Sequence, residues 1–151
     1  FRMDEILGLR YVTPATERTP VVVRHQDKVY SEVSVGNPKV KITPIFEGDR
    51  VRFHMLVTMK GLVIEVIEPI PEREMERLAS EQAKEEILTT YENALEKNID
   101  IYQLEHQLYL KHTKWWKEHL KERKLTLYKD SLEVEVKIDI LSSGKLKLIT
   151  E

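Results

Sequence analysis

One pattern, unbroken from Lys39 to Ile140, leaves this chain few ways to fold. Alternating apolar and polar positions come first. A long charged segment with a single apolar stripe follows, then a shorter segment carrying Trp115 and Trp116, and finally a strictly alternating stretch from Leu132 to Ile140. Period-two alternation buries one face of a strand, and recurrence every three to four residues buries one side of a helix. A sheet covered on one face by helices satisfies both. The expected class is therefore α+β: a mixed or antiparallel sheet of about four to six strands, with one long helix packed across one face and a second, shorter helical segment.

The strand signals start early. Val29, Ser31, Val33 and Val35 alternate with Tyr30, Glu32 and Ser34. Gly36-Asn37-Pro38 interrupts them, and Val40 and Ile42 resume on one face with Lys39 and Lys41 on the other. Pro44 has no N–H for a ladder, which places this stretch near a sheet edge. Glu47-Gly48-Asp49 reads as a turn. Val51, Phe53, Met55, Val57 and Met59 then alternate with Arg52, His54 and Thr58. Lys60-Gly61 reads as a second tight turn, because glycine supplies the positive φ that hairpins demand. Leu62, Ile64 and Val66 complete an antiparallel meander.

Pro69 and Pro71 stop the strand pattern. Pro71 suits a first helical turn, and Glu72, Glu74 and Glu76 sit at the positive end of the helix dipole. Met75, Leu78, Ala79, Ala83, Ile87, Tyr91, Ala94 and Leu95 form the stripe. A helix from Glu72 to Lys97 would be roughly 39 Å long at its usual rise, enough to cross a sheet diagonally. Asn98 is a candidate cap and Asp100 a candidate start for the next segment, in which Ile101, Leu104, Leu108, Trp115 or Trp116, and Leu120 recur. Ser142-Ser143-Gly144 leads to a last short strand, Lys145 to Ile149. Residues 1–26 are the least regular, with Pro14 and Pro20 breaking periodicity and Val21-Val22-Val23 a candidate edge strand. They are read as a lead-in from an upstream domain, and residues 27–151 as the C-terminal α+β domain.

A chain of 151 residues supports one core and buries about 68–70% of its unfolded surface, enough to stand without a metal or disulfide. It has no cysteine, so disulfides, thiolate nucleophiles and cysteine-bound zinc are excluded. Net charge is −2, with 24 basic and 26 acidic residues. That balance lacks the basic surplus that nucleic acid binding normally requires. The longest apolar runs, Leu62-Val63-Ile64 among them, are three residues and too short to cross a bilayer. The chain begins at Phe1 with no basic-then-apolar leader, and it reads as an excised or processed piece of a longer protein.

No residue set reads as a reaction centre. His112 and His119, on one continuous helix, would lie roughly 10 Å apart. One metal ion cannot bridge that gap at normal ligand lengths, so they and His106 read as surface histidines. Glu65 lies in the apolar run Leu62 to Ile67, where a carboxylate can be a buried anchor or a general acid. Alternation sets it with Val63 and Ile67 on a partly exposed face. Having no partner, it reads as a structural or interface residue. No serine sits in a nucleophile elbow, and the five glycines are scattered singly. Trp115 and Trp116 point about 100° apart on a helix. One is expected in the core and the other partly exposed within Lys114-Trp115-Trp116-Lys117. Such a segment suits a protein interface or a membrane surface.

These residues together resemble a known family. A strand ending Lys39-Val40-Lys41-Ile42-Thr43-Pro44 is followed by a turn, a strand and Lys60-Gly61-Leu62-Val63-Ile64-Glu65. The long charged helix comes next, then Asn98-Ile99-Asp100-Ile101, a tryptophan after the basic stretch Lys111 to Lys117, and an alternating strand with Gly144 beyond it. This resembles the C-terminal domain of the Ger(x)C family, the C subunits of bacterial spore germinant receptors. Gly8-Leu9-Arg10-Tyr11 resembles the lead into that domain, with Tyr11 where an aromatic is expected. The resemblance covers roughly Gly8 to Leu146. One departure is that Tyr102-Gln103-Leu104-Glu105 stands where a glycine-rich step is expected after Asp100.

The resemblance implies a lipoprotein on the outer face of the spore's inner membrane, working with two integral membrane subunits, A and B, in a receptor that senses nutrients. The native protein would carry a signal and a lipidated cysteine. The resemblance carries over no catalytic residue, and no metal, cofactor or nucleic acid partner is expected. The surface candidates for a partner interface are Glu65, Trp115 and Trp116.

Overall fold

The computed structural model describes Tyr11 and residues 19–48, 50–120 and 125–141. The expected strand from Lys145 to Ile149 lies outside them. Four strands form one sheet in the order β1-β2-β3-β4: β1 Thr19–His25, β2 Lys28–Glu47, β3 Arg50–Val66 and β4 Leu132–Leu141. The first three pair antiparallel and β4 runs parallel to β3, so the sheet is mixed. Three helices follow β3: α1 Glu72–Glu96, α2 Leu104–Lys111 and α3 Thr113–His119. The expected second helical segment is thus two short helices, broken at His112.

Val21-Val22-Val23 do form a strand. Gln26 and Asp27, both at positive φ, make the two-residue turn into β2. The valines at 21 and 23 are fully buried in the same core as the rest of the sheet. Tyr11 is buried there too, and its hydroxyl donates to the Glu86 carboxylate at 2.5 Å. The Gly36-Asn37-Pro38 interruption is a bulge within one continuous strand, with Asn37 at φ 54°. Beyond it, β2 from Lys39 to Glu47 pairs with β3 alone among the described residues, so Pro44 does lie on an edge.

Lys60-Gly61 is not a turn. The two residues lie inside β3, opposite Gly36 and Val35, with Asp139 and Ile140 on the other side. A Cβ on Gly61 would come within 2.8 Å of Val33 Cγ1 and 3.2 Å of Ile138 Cγ2. The glycine is there to let three strands close up, not to reverse the chain.

The core face carries Val33 and Val35 of β2, Phe53, Met55, Val57 and Met59 of β3, and Leu132, Val134, Ile138 and Ile140 of β4. α1 lies across it against β4 and β1. It buries Met75, Leu78, Ala79, Ala83, Ile87, Thr90, Tyr91 and Ala94. The stripe was expected, except that Thr90 joins it and Leu95 is only partly covered. α1 also closes the outer edge of β4. Ile138 N–H donates to Ser80 Oγ at 3.2 Å, and Ile140 N–H to Glu76 Oε2 at 2.8 Å. An edge whose donors are taken in this way cannot template another strand.

The helix ends follow local rules. Pro71 precedes α1, with Glu72 and Glu74 in its first turn. At the other end Asn98 adopts φ 57°. Its N–H bonds to Leu95 O and that of Ile99 to Ala94 O, the paired bonds of a Schellman stop with asparagine in place of glycine.

Candidate interaction surfaces

No candidate residue lies in an enclosed site; each lies on one of two separate surfaces. The first is the outer face of the sheet, which no helix covers among the described residues. Its β3–β4 part is a charged ladder: Arg52 to Glu133 at 3.7 Å, His54 to Glu135 at 3.5 Å and Lys60 to Asp139 at 3.3 Å. Exposed pairs of this kind contribute little stability but keep the face wet.

The character changes toward the end of β3. A register shift sets Val33 opposite Val63 but Glu32 opposite Glu65, which leaves Ile64 as an extra residue. Directly paired residues share a face, and Val33 is in the core. Val63 therefore faces the core, while Glu65 turns outward with Glu32. The expectation that Glu65 shares a face with Val63 fails because the bulge inserts a residue between them. Glu65 is exposed, so the burial that would tune a general acid is missing. Ile64 and Ile67 beside it are 56% and 55% exposed, and Leu62 is also exposed. Two acids opposite each other repel, here within an apolar setting.

The second surface is the elbow of α2 and α3. Asp100 organises it by accepting the N–H groups of Leu104 and Glu105, both at 2.9 Å, which supplies the start that the sequence assigned to it. Gln103 follows at φ 55°, left-handed, where the resemblance called for glycine. Leu104 and Leu108 anchor α2 in the core, whereas α3 has no fully buried residue. Both tryptophans are half-buried, so neither fills the core alone. Trp115 lies 5.0 Å from the Phe46 ring at the tip of β2 and stacks on His119 at 4.4 Å. Trp116 meets Tyr109 edge-on at 5.0 Å.

The histidines are used in packing. His112 lies at the break between the helices against Phe46, and His106 lies near Tyr109. Glu65 and the tryptophans are not brought together: Phe46, under Trp115, pairs with Val51 at one end of β3, and Glu65 is at the other. The bulge that reorients Glu65 had no signal in the residue pattern, and neither did the helix break at His112.

Tyr91 and Tyr102 join α1 to the elbow. Their rings stack 6.5 Å apart, Tyr91 donates to Tyr128 O and Tyr102 to Ile87 O, each at 2.8 Å. Burial raises the pKa of both phenols well above the ordinary value of 10.0; Asp100 adds to the effect at Tyr91. An open cleft of about 420 Å³ lies nearby, lined by Leu95, Asn98, Ile99, Asp100 and residues 125–127. The carboxylate in it already caps α2. Among the described residues no group of acids and histidines could hold a metal ion, and no helix is long and apolar enough to cross a membrane.

This is an α+β domain of one mixed sheet and helices. The family model described as Spore germination B3/GerAC like, C-terminal, matches residues 1–144. The chain belongs to that family, which bears out the resemblance to germinant receptor C subunits and sets the chain in spore germination. A solved structure titled "Crystal Structure of the GerBC protein" is similar to it in fold, with a TM-score of 0.72 at 14% identity. The match covers 94% of this chain and 46% of that one, so the chain spans under half of that protein's length. No curated protein matches the sequence.

Proposed function

We propose that this chain is a non-catalytic docking domain of a nutrient germinant receptor, needed for germination because it holds the receptor's parts in register. The observation that carries this reading is the family match over residues 1–144. In the whole protein the domain would sit on the outer face of the spore's inner membrane, tethered by an N-terminal lipid anchor, with the A and B integral membrane subunits as partners.

The fold supports a rigid module. One core unites sheet and helices, and α1 seals one sheet edge. Glu65, with Ile64 and Ile67, is the proposed centre of the subunit contact, where an apolar patch carries an acidic pair suited to a basic partner. Trp115 and Trp116 belong to a second contact surface at the other end of the sheet. Photo-crosslinking in assembled receptors tests the first. A crosslinker at Ile64 or Ile67 should capture the A or B subunit, and one at exposed Lys84 on α1 should not. Normal germination of spores carrying Ile64→Glu with Glu65→Arg would overturn the assignment.

The rival reading is a small-ligand module using the cleft beside Asn98 and Asp100. A binding pocket needs polar groups free to orient the ligand. Both oxygens of Asp100 are already engaged, which favours the docking role. Heat on titrating germinants into the isolated chain would reverse that preference.

A further inference from the structure

We infer that the exposed side of the α2–α3 elbow is a contact surface for anionic lipid headgroups. The inference names a partner for the second surface and does not depend on the receptor role.

Charge is the first observation. Residues 111–120 hold three lysines, Lys111, Lys114 and Lys117, against Glu118, in a chain whose net charge is −2. Lys111, Lys114 and Lys117 are exposed, and none is paired with an acid among the described residues. Lys114 and Lys117, three apart on α3, share a side of the helix.

The second observation is apolar. Leu110 is 57% exposed and Tyr109 47% exposed, immediately before Lys111 in the chain. The rings of Trp115 and Trp116 pack on Phe46 and Tyr109 and remain partly exposed. Tryptophan and tyrosine rings settle at the headgroup level of a bilayer. Lysine stems lie along apolar surface while their charged ends reach the phosphates.

The choice of cation decides between lipid and protein. Protein interfaces are enriched in arginine and depleted in lysine. The described cations of the elbow are all lysine. A diffuse anionic layer needs point charges with reach, not a planar fork aimed at one carboxylate.

The test uses the chain as it stands, with vesicles of phosphatidylcholine alone or enriched in phosphatidylglycerol. The chain's two tryptophans are Trp115 and Trp116, so tryptophan emission, excited selectively over tyrosine, reports on this surface alone. Emission should shift to the blue and the protein should sediment with anionic vesicles, less so as salt rises. Phosphatidylcholine alone should leave both unchanged. Lys111→Gln, Lys114→Gln and Lys117→Gln combined should weaken binding on the order of 100-fold, about fivefold for each lysine. Leu110→Ser should weaken it roughly tenfold. The paired change Lys39→Gln and Lys41→Gln, on exposed residues of β2, should leave it intact. All these positions are exposed, so unchanged circular dichroism shows that the fold survives. No affinity for anionic vesicles, equal loss in the Lys39/Lys41 variant, or loss of subunit co-purification in the triple variant without any vesicle binding would each overturn the inference.

Discussion

α1 and the α2–α3 elbow are built from similar residues and put them to opposite uses. α1 carries eight acidic and three basic residues around a stripe that is buried in the core except for the partly covered Leu95. Several of its charges serve one another or the fold: Arg77 bonds Glu74 and Glu81, and its hydrogen bond holds the Glu74 carboxyl below its usual range, while Glu76 accepts from β4. The elbow carries a basic run, buries two leucines from α2 and none of α3, and leaves its largest rings half out. A helix that spends its apolar side inward stabilises the domain. A helix that keeps its apolar side at the rim has surface left for something else.

That contrast breaks first on stability. Ile87→Ala should cost about 2–5 kcal/mol, because it opens a cavity between helix and sheet. Lys114→Gln on α3 should stay within about 0.5 kcal/mol. Urea denaturation of the two variants checks both, and equal midpoints would dissolve the distinction. The sheet beneath α1 should be nearly as intolerant. Gly61→Ala pushes a methyl against Val33 and Ile138 and should cost about 1–3 kcal/mol. If Lys60-Gly61 were a turn, that contact would not exist and the cost would be small.

Legibility follows the same division. The period-3.6 stripe of α1 and the alternation of β4 were readable because each element buries one face continuously. Asn98 and Asp100 were readable because their capping chemistry is local. The failures lie where backbone geometry departs from what side chains announce. Gly61 mimics a turn glycine but serves close approach. The extra residue at Ile64 flips Glu65 to the other face while leaving an apolar run that looks regular. The Gln26-Asp27 turn lacks the asparagine–glycine signature of a two-residue hairpin, so the candidate strand at Val21-Val22-Val23 carried no sign of its pairing partner. The parallel seat of β4 beside β3 depends on a long helical crossover that no local pattern encodes.

Tyr91 and Tyr102 sharpen the comparison, because they seal the joint between the two regions. Burial holds both phenols protonated above the ordinary pKa of 10.0. Below that pH both folded and unfolded chains keep the protons and stability is unaffected. Above it the unfolded chain releases protons that the folded one retains, so stability should fall by roughly 1.4 kcal/mol per pH unit for each phenol. Denaturant midpoints measured across the alkaline range give the slope. Tyr102→Phe should flatten it by about half. A domain whose stability ignores pH above 10.0 would have an open joint.

A smaller effect, of opposite sign, is expected at the start of the elbow. Gln103 holds φ 55° with no side-chain cap of its own, between the Asp100 carboxylate and the first turn of α2. The left-handed region costs a residue with a Cβ about 1–2 kcal/mol. Glycine escapes that cost but gives back part of it as lost entropy. Gln103→Gly should therefore raise stability by about 0.5–1 kcal/mol, seen as a small increase in the melting temperature. The same change should leave the lipid affinity of the elbow unaltered, because Leu110 and the lysines keep their places. A drop in affinity without loss of stability would mean that α2 needs its present, slightly strained start to aim the elbow outward.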